Sequence, residues 1–220
     1  MIWNALKLSL MVVSVSTLII AVTGTAFGFL LARRRFPGKE LLDAALTLPM
    51  VLPPTVVGYY LILILGRKGL LGAPVYNLTG WSVTFTWIAA VVASVVVAIP
   101  LMVKSARAAI ESVNQDYENV SRIMGKGEWE TFFRVTLPLA GRGLLAGVIL
   151  SFARAFGEFG ATMMLAGNIR GKTQTMPLAI YEAMAAGEDG TAAALAIILT
   201  GISLAVVYLT NRLSRPVERI

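Results

Sequence analysis

The chain has 220 residues, of which 57% are hydrophobic and only 14% are charged. A mean hydropathy of +0.76 excludes an ordinary soluble domain and is typical of an integral membrane protein. The absence of Cys and His excludes disulfides, thiolate sites and imidazole metal sites, and we expect no metal centre. We interpret the net charge of +7 as a topology determinant and expect no nucleic-acid partner, because Lys and Arg collect in the cytoplasmic loops of membrane proteins.

Five apolar segments are long enough to span a bilayer, which takes about 20 residues of helix. They are residues 8–32, 41–65, 84–103, 144–165 and 191–209. We therefore predict an all-α integral membrane protein, with residues 1–220 forming a single transmembrane domain of five spanning helices in contact with lipid. We reject a cleavable signal peptide, because the first segment is too long and ends in three consecutive arginines at 33–35.

The distribution of basic residues predicts the orientation. The loop 33–40, the loop 104–142 and the tail from Asn211 hold thirteen Lys and Arg, whereas the opposite side holds five. The positive-inside rule then places the N-terminus outside the cell and the C-terminus in the cytoplasm. It also makes 104–142 a cytoplasmic loop of a multi-pass protein of the cytoplasmic membrane.

The loop 104–142 contains signs of local structure. Asn114 can cap a helix start, and Gly125 can end that helix in a left-handed conformation. Between them, one helical face contains Tyr117, Val120 and Met124. We predict a second short helix over Glu128–Val135, which Leu137-Pro138 closes before the fourth span.

The order of residues in this loop resembles a known signature. Asn119, Val120 and Ser121 are followed by three residues and Gly125, and then, after nine more residues, by Val135-Thr136-Leu137-Pro138. This spacing resembles the EAA loop of binding-protein-dependent ABC importer permeases, although Asn-Val-Ser replaces Glu-Ala-Ala and Glu118 lies one position early. The resemblance implies that the loop forms a coupling helix that docks on an ATPase subunit.

Longer stretches resemble the molybdate ABC-transporter permeases. They are RRRFPGKELLDAALTLPMVLPPTVVGYYLIL (33–63), GRKGLLG (66–72) and FARAFGEFGATMMLAGNIRGKTQTMPLAIY (152–181). Sulfate, thiosulfate and tungstate permeases are similar, and remain alternatives. The resemblance implies a type I ABC importer permease architecture and a homodimer. It also implies two ATPase subunits that bind ATP and Mg, and a periplasmic or extracellular molybdate-binding protein.

Three prolines lie inside the second apolar segment, at Pro49, Pro53 and Pro54. Proline removes a backbone donor and clashes with the carbonyl four residues earlier, so this density predicts a broken or kinked helix. Carbonyls freed at membrane depth are tolerated where they face protein or a watery cavity. Two compatible interpretations stay open: a kink that serves packing, and a broken segment that lines the substrate path.

Polar residues recur on one face of the fourth segment. They are Ser151, Arg154, Glu158 and Thr162. Arg154 would lie ~15 Å past Leu144 at 1.5 Å per residue, near the middle of a ~30 Å hydrocarbon core. Polar residues at that depth face the bundle interior or a cavity. Arg154 either attracts an oxyanion or forms an ion pair with Glu158 that stabilises the bundle, and the sequence leaves both open.

The stretch Gly167–Thr173 resembles a phosphate-binding loop but has three residues between its glycines, where that motif needs four. We therefore expect no nucleotide site, cofactor or enzymatic activity in this chain, and an ATPase on another chain. A stand-alone channel or a secondary transporter is the rival class. It would need an ion-coupling site and no coupling loop, and we find none of the internal repeats common in secondary transporters.

Overall fold

The computed structural model describes residues 2–213, and all regular elements in that range are helices. The cytoplasmic tail predicted from Asn211 therefore lies mostly outside the described residues. The elements are α1 Ile2–Arg33, α2 Lys39–Val51, α3 Pro54–Leu65, α4 Gly72–Thr79, α5 Trp87–Glu111, α6 Gln115–Ile123, α7 Glu128–Thr131, a π-helical turn Phe132–Thr136, α8 Leu137–Phe156, α9 Gly160–Ala166, α10 Met176–Ala185 and α11 Asp189–Leu213.

Helix α5 lies at the centre of the fold, between α1 and α8. Small residues let the three backbones approach closely, as is usual in membrane bundles. A Cβ atom at Gly28 of α1 would lie 2.6 Å from the Cβ of Ala106, and one at Gly147 of α8 would lie 2.7 Å from the Cβ of Ser105. Helices α10 and α11 complete the core around these three.

A second apolar cluster joins the short helices α3 and α9 to the first half of α5. Gly58 of α3 packs against Ala161 and Met164 of α9, and Gly160 at the start of α9 packs against Pro54 and Thr55. The two short helices therefore form one packed unit, seated on α5.

The structure breaks the second predicted span, 41–65, into two helices. Helix α2 ends at Val51, α3 begins at Pro54, and their axes are bent by 119°. The backbone of Leu52 is extended, as favoured before a proline, and Pro53 cannot donate the bond that would continue α2. Pro49 lies inside α2 without ending it. The density of prolines thus predicted the break.

The fourth predicted span, 144–165, is also divided, and this break was not predicted. Helix α8 ends at Phe156 and α9 begins at Gly160. At its other end the helix extends further than expected: residues 128–156 form one continuous apolar rod. Leu137-Pro138 does not close it, because in the preceding π-helical turn the Leu137 N–H donates to the carbonyl of Phe132, five residues back.

Helix α5 continues to Glu111, so the first residues of the predicted loop 104–142 are helical. At its other end, α5 begins at Trp87 rather than at residue 84. Among the described residues, four helical rods are long and apolar enough to cross a membrane alone. Counting α2 with α3 as one bent span gives five.

Candidate translocation site and coupling surface

Arg154 lies at the end of α8, facing the break between α2 and α3. A pocket of about 230 Å³ separates them. Its lining residues are Pro49, Met50, Leu52, Pro54, Val97, Leu101 and Arg154. Val97 and Leu101 lie near the middle of α5, so the pocket lies at mid-depth of the bundle. Two of the three prolines that the sequence singled out, Pro49 and Pro54, therefore meet Arg154 at one cavity.

Glu158 holds this arginine. Arg154 Nη1 donates to Glu158 Oε2 at 2.8 Å, and the Glu158 side chain is 1% exposed against 34% for Arg154. The other carboxylate oxygen accepts the backbone N–H of Ala161 at 2.8 Å. Glu158 thus caps the first turn of α9 and ties it to the last turn of α8, while Arg154 keeps part of its guanidinium open to the pocket.

The remaining members of the predicted polar face do not reach the pocket. Ser151 is fully buried in the packing of α8 and its hydroxyl has no hydrogen-bond partner, while Thr162 is buried in α9. Pro53 is exposed at the break but does not line the cavity. The end of α8 at Phe156 changes the direction of the later side chains, including Thr162, whereas Ser151 lies within α8 and is directed into its packing.

On the opposite, predicted cytoplasmic side, α6 begins and ends where the sequence indicated. Asn114 Oδ1 accepts the backbone N–H of Asp116 at 2.9 Å. Gly125 has φ +81°, and the N–H groups of Gly125 and Lys126 donate to the carbonyls of Arg122 and Ser121. These are the two bonds of a Schellman motif, so α6 ends in a tight, defined turn.

One face of α6 is apolar and exposed, together with two aromatic residues that follow the turn. The exposed residues are Tyr117, Val120, Ile123, Met124, Trp129 and Phe133. Asn119 is exposed beside them. A cluster of large apolar side chains outside the bundle is unusual in a monomer and marks an interaction surface. We call it the coupling surface.

The opposite face of α6 is fixed to the bundle by Glu118. Its Oε1 accepts from Arg33 at the end of α1, at 3.0 Å, and from Thr136 in the π-helical turn, at 2.8 Å. Ser121 and Thr131 also share a hydrogen bond of 2.9 Å on this face. Sequence analysis missed Arg33 and Thr136, because the partners are 85 and 18 residues from Glu118 and no local pattern joins them.

The last part of the signature lies at the base of α8. Val135 and Leu137 are half-buried, and Leu137 packs against the main core, whereas Pro138 is exposed. These residues connect the coupling surface to α8, whose last turn contains Arg154. One rod therefore joins the two candidate sites.

The stretch Gly167–Thr173 closes on itself through backbone hydrogen bonds. The backbone N–H groups of Lys172, Thr173 and Gln174 all donate to the carbonyl of Ile169, so they are unavailable to an anion. The described residues also contain no group of three or more acidic side chains placed to hold a metal ion.

Comparison with known proteins identifies the family. Residues 24–219 match the family model described as "Binding-protein-dependent transport system inner membrane component". The chain belongs to this family. The permease is 44% identical over 217 residues to the molybdenum transport system permease protein ModB of Escherichia coli K12, covering 97% of this chain and 95% of that protein. It is 42% identical to the putative molybdenum transport system permease protein YvgM of Bacillus subtilis, covering 91% and 88%.

A sulfate transport system permease protein, CysW of Synechococcus elongatus, is 36% identical, covering 94% of the permease and 72% of that protein. Solved structures agree on the fold. The MetNI methionine ABC transporter matches with a TM-score of 0.73 at 19% identity, covering 99% of the permease and 94% of that chain. A bacterial alginate ABC importer matches with a TM-score of 0.76 at 15% identity, covering 98% and 79%. The permease thus has the type I ABC importer architecture, and is a multi-pass transport component of the membrane.

Proposed function

We propose that the permease forms the path by which an ATP-driven importer moves molybdate across the cytoplasmic membrane. In this proposal it works as a homodimer. A periplasmic or extracellular molybdate-binding protein delivers the oxyanion, and two separate ATPase subunits bind ATP and Mg. The N-terminus faces outside and the C-terminus faces the cytoplasm.

The observation that carries this proposal is the pocket at Arg154. A cation at mid-depth of a bundle is expensive to bury and is usually functional. Here it faces a broken helix, where irregular backbone is tolerated because it lines a cavity. Glu158 takes up part of the positive charge, which suits a path that must release its anion rather than bind it tightly. The 44% identity to a molybdenum permease selects molybdate among oxyanions.

The coupling surface supports the ATPase partnership. An apolar face on a helix fixed by a cap, a Schellman turn and the Glu118 contacts can transmit force, because it cannot reorient independently of α1 and α8. An ATPase that binds this face in a groove would bury its apolar area, which stabilises the complex by about 25 cal/mol per Å². A channel that conducts alone has no use for such a surface.

Reconstituted transport tests the proposal. The permease is placed in proteoliposomes with its ATPase and binding protein, and uptake of labelled molybdate is followed. We expect uptake only when ATP and both partners are present. We also expect competition by tungstate, which is a tetrahedral dianion of nearly equal size, and much weaker competition by sulfate.

Two results would contradict the proposal. Conduction of molybdate by the permease alone would make it a channel or a secondary transporter. Uptake of sulfate at the rate of molybdate would place it with the sulfate permeases instead.

A further inference from the structure

A second pocket, larger than the one at Arg154, lies at the other end of α3. Its volume is about 470 Å³, within the range of small-molecule sites. It is lined by Ile62, Leu63, Gly66, Arg67, Lys68, Gly69, Thr84, Phe85, Met164 and Leu165. The lining combines an apolar interior with two adjacent cations and contains no carboxylate.

The two cations are held outward by a rigid turn. After α3 ends, the chain folds back so that the N–H groups of Leu70 and Leu71 donate to the carbonyls of Leu63 and Ile64. The close approach requires glycine: a Cβ at Gly69 would lie 2.7 Å from the carbonyl oxygen of Leu63. Arg67 and Lys68 form the tip of this turn.

Neither cation forms an ion pair with an acidic side chain among the described residues, and both are exposed. The Arg67 guanidinium carbon lies 5.3 Å from the centre of the Tyr76 ring, which orients it without neutralising it. Lys and Arg are usually more frequent on the cytoplasmic side of a membrane protein than on the outer side, so two unpaired cations on the outer side are unusual. The pair is therefore available to an anion.

The far wall of the pocket is strained. Phe85 is the one residue other than glycine with positive φ in the described part of the chain, at +59°. Its N–H donates to the carbonyl of Leu165 at 3.2 Å, and its ring lies against Gly167, where a Cβ would be 3.1 Å away. Such conformations are energetically unfavourable and persist where the surroundings impose them. Here they keep an aromatic wall along the groove.

We propose that this groove binds one anionic phospholipid. The phosphate contacts Arg67 and Lys68, and an acyl chain lies along Leu63, Met164 and Phe85. The ends of α3, α5 and α9 meet here, and the exposed Trp81 and Trp87 lie at the same end, as aromatic residues do at headgroup level. Placing the site in the outer leaflet rests on the orientation given under the proposed function.

The chemistry favours a lipid over a free oxyanion. A small dianion needs several hydrogen-bond donors around it, whereas the interior offers a single hydroxyl, Thr84, which is already bonded to Ser82 at 2.8 Å. An amphiphile with one negative charge matches both the cationic rim and the apolar interior.

Native mass spectrometry of the purified full-length permease tests this site without any transport assay. Delipidated protein is titrated with phosphatidylglycerol and with phosphatidylcholine. We expect a phosphatidylglycerol preference that falls about fivefold for each cation removed in Arg67→Gln and Lys68→Gln. The matched control, Lys7→Gln with Lys172→Gln, removes the same charge from the same side outside the pocket and should keep the preference. Met164→Trp, which fills the groove, should weaken binding of both lipids.

Three outcomes would overturn the proposal. The double glutamine variant could keep the wild-type preference. Molybdate or glycerol phosphate could displace the lipid, which would make the site a small-anion site. Because the chain has no Cys, Leu63→Cys can also be tested for a disulfide between two copies; efficient cross-linking would assign this face to the dimer. Lipid selectivity does not depend on molybdate uptake, so the two proposals can fail separately.

Discussion

At the scale of single residues, the permease depends on a charge pair that serves two helices. Glu158 is almost fully buried, yet each of its oxygens has one donor: Arg154 on one side and the Ala161 N–H on the other. A buried carboxylate is tolerated when it is paired and hydrogen-bonded. Removing Arg154 alone would therefore do two things at once, because it takes a cation from the pocket and leaves Glu158 uncompensated.

A pair of variants separates these effects. Arg154→Leu should destabilise the bundle by roughly 3 kcal/mol, since breaking a buried pair costs more than removing both partners. The double variant Arg154→Leu with Glu158→Gln should recover most of that stability, because glutamine can still accept the Ala161 N–H. We expect both to lose molybdate uptake while keeping ATPase binding. Thermal unfolding in detergent and reconstituted uptake measure the two effects. Normal uptake by the stable double variant would mean that Arg154 only holds the bundle together.

At the scale of elements, the contacts of α6 show how this chain can have Asn-Val-Ser at the positions where the signature has Glu-Ala-Ala. The position that carries its Glu in the family signature is Asn119 here, and Asn119 is exposed. The preceding Glu118 is 2% exposed and contacts Arg33 and Thr136. The acidic group of this chain is therefore an internal clamp between α1, α6 and the base of α8, and what α6 presents outward is apolar.

The turn after α6 depends on a left-handed residue at position 125. Gly125 has φ +81° and open space around its Cα, so a larger residue meets backbone strain of about 1 kcal/mol rather than a clash. Gly125→Leu should insert normally but shift α6 relative to α8, and so uncouple ATP hydrolysis from uptake. Gly125→Asn is the matched control, because Asn tolerates the left-handed region. ATPase activity and uptake measured on the same proteoliposomes give the coupling ratio. Full coupling in the leucine variant would reduce the loop to a connector.

At the scale of the whole molecule, the features that could be predicted from the sequence are those that depend on residues close together in the chain. The five apolar segments, the proline break and both ends of α6 followed from composition, ring geometry and capping. The break at Phe156–Gly160 did not, because one of its causes is tertiary, the packing of Gly160 against α3, and because the local cap from Glu158 to the Ala161 N–H was not recognised in the sequence. The Arg33–Glu118 contact and the meeting of Arg154 with the prolines depend on residues far apart in sequence, and a single chain gives no pattern for them.

The described helices also include a tightly packed frame and several loosely packed helices, of which α2 borders the pocket at Arg154. Helices α1, α5 and α8 interlock through small residues, whereas α2 has no buried residue. Its polar attachment to the frame is Asp43, which accepts from Lys104 at 2.7 Å and from Arg107 at 2.8 Å. Because α2 contributes Pro49 and Met50 to the pocket at Arg154, movement of α2 would open that pocket.

Removing this attachment should make the pocket more accessible. A half-exposed ion pair stabilises the state in which it forms by up to about 1 kcal/mol. Asp43→Asn should therefore increase, about fivefold, the fraction of molecules in which α2 is displaced. In the Cys-free chain, Leu101→Cys reports on the pocket from α5, and its rate of labelling by a charged thiol reagent should rise by that factor. Glu111→Gln is the control, because it removes the other ion pair of Arg107 and leaves Asp43 in place. Equal labelling rates in the two backgrounds would mean that α2 is held by its membrane or dimer contacts rather than by Asp43.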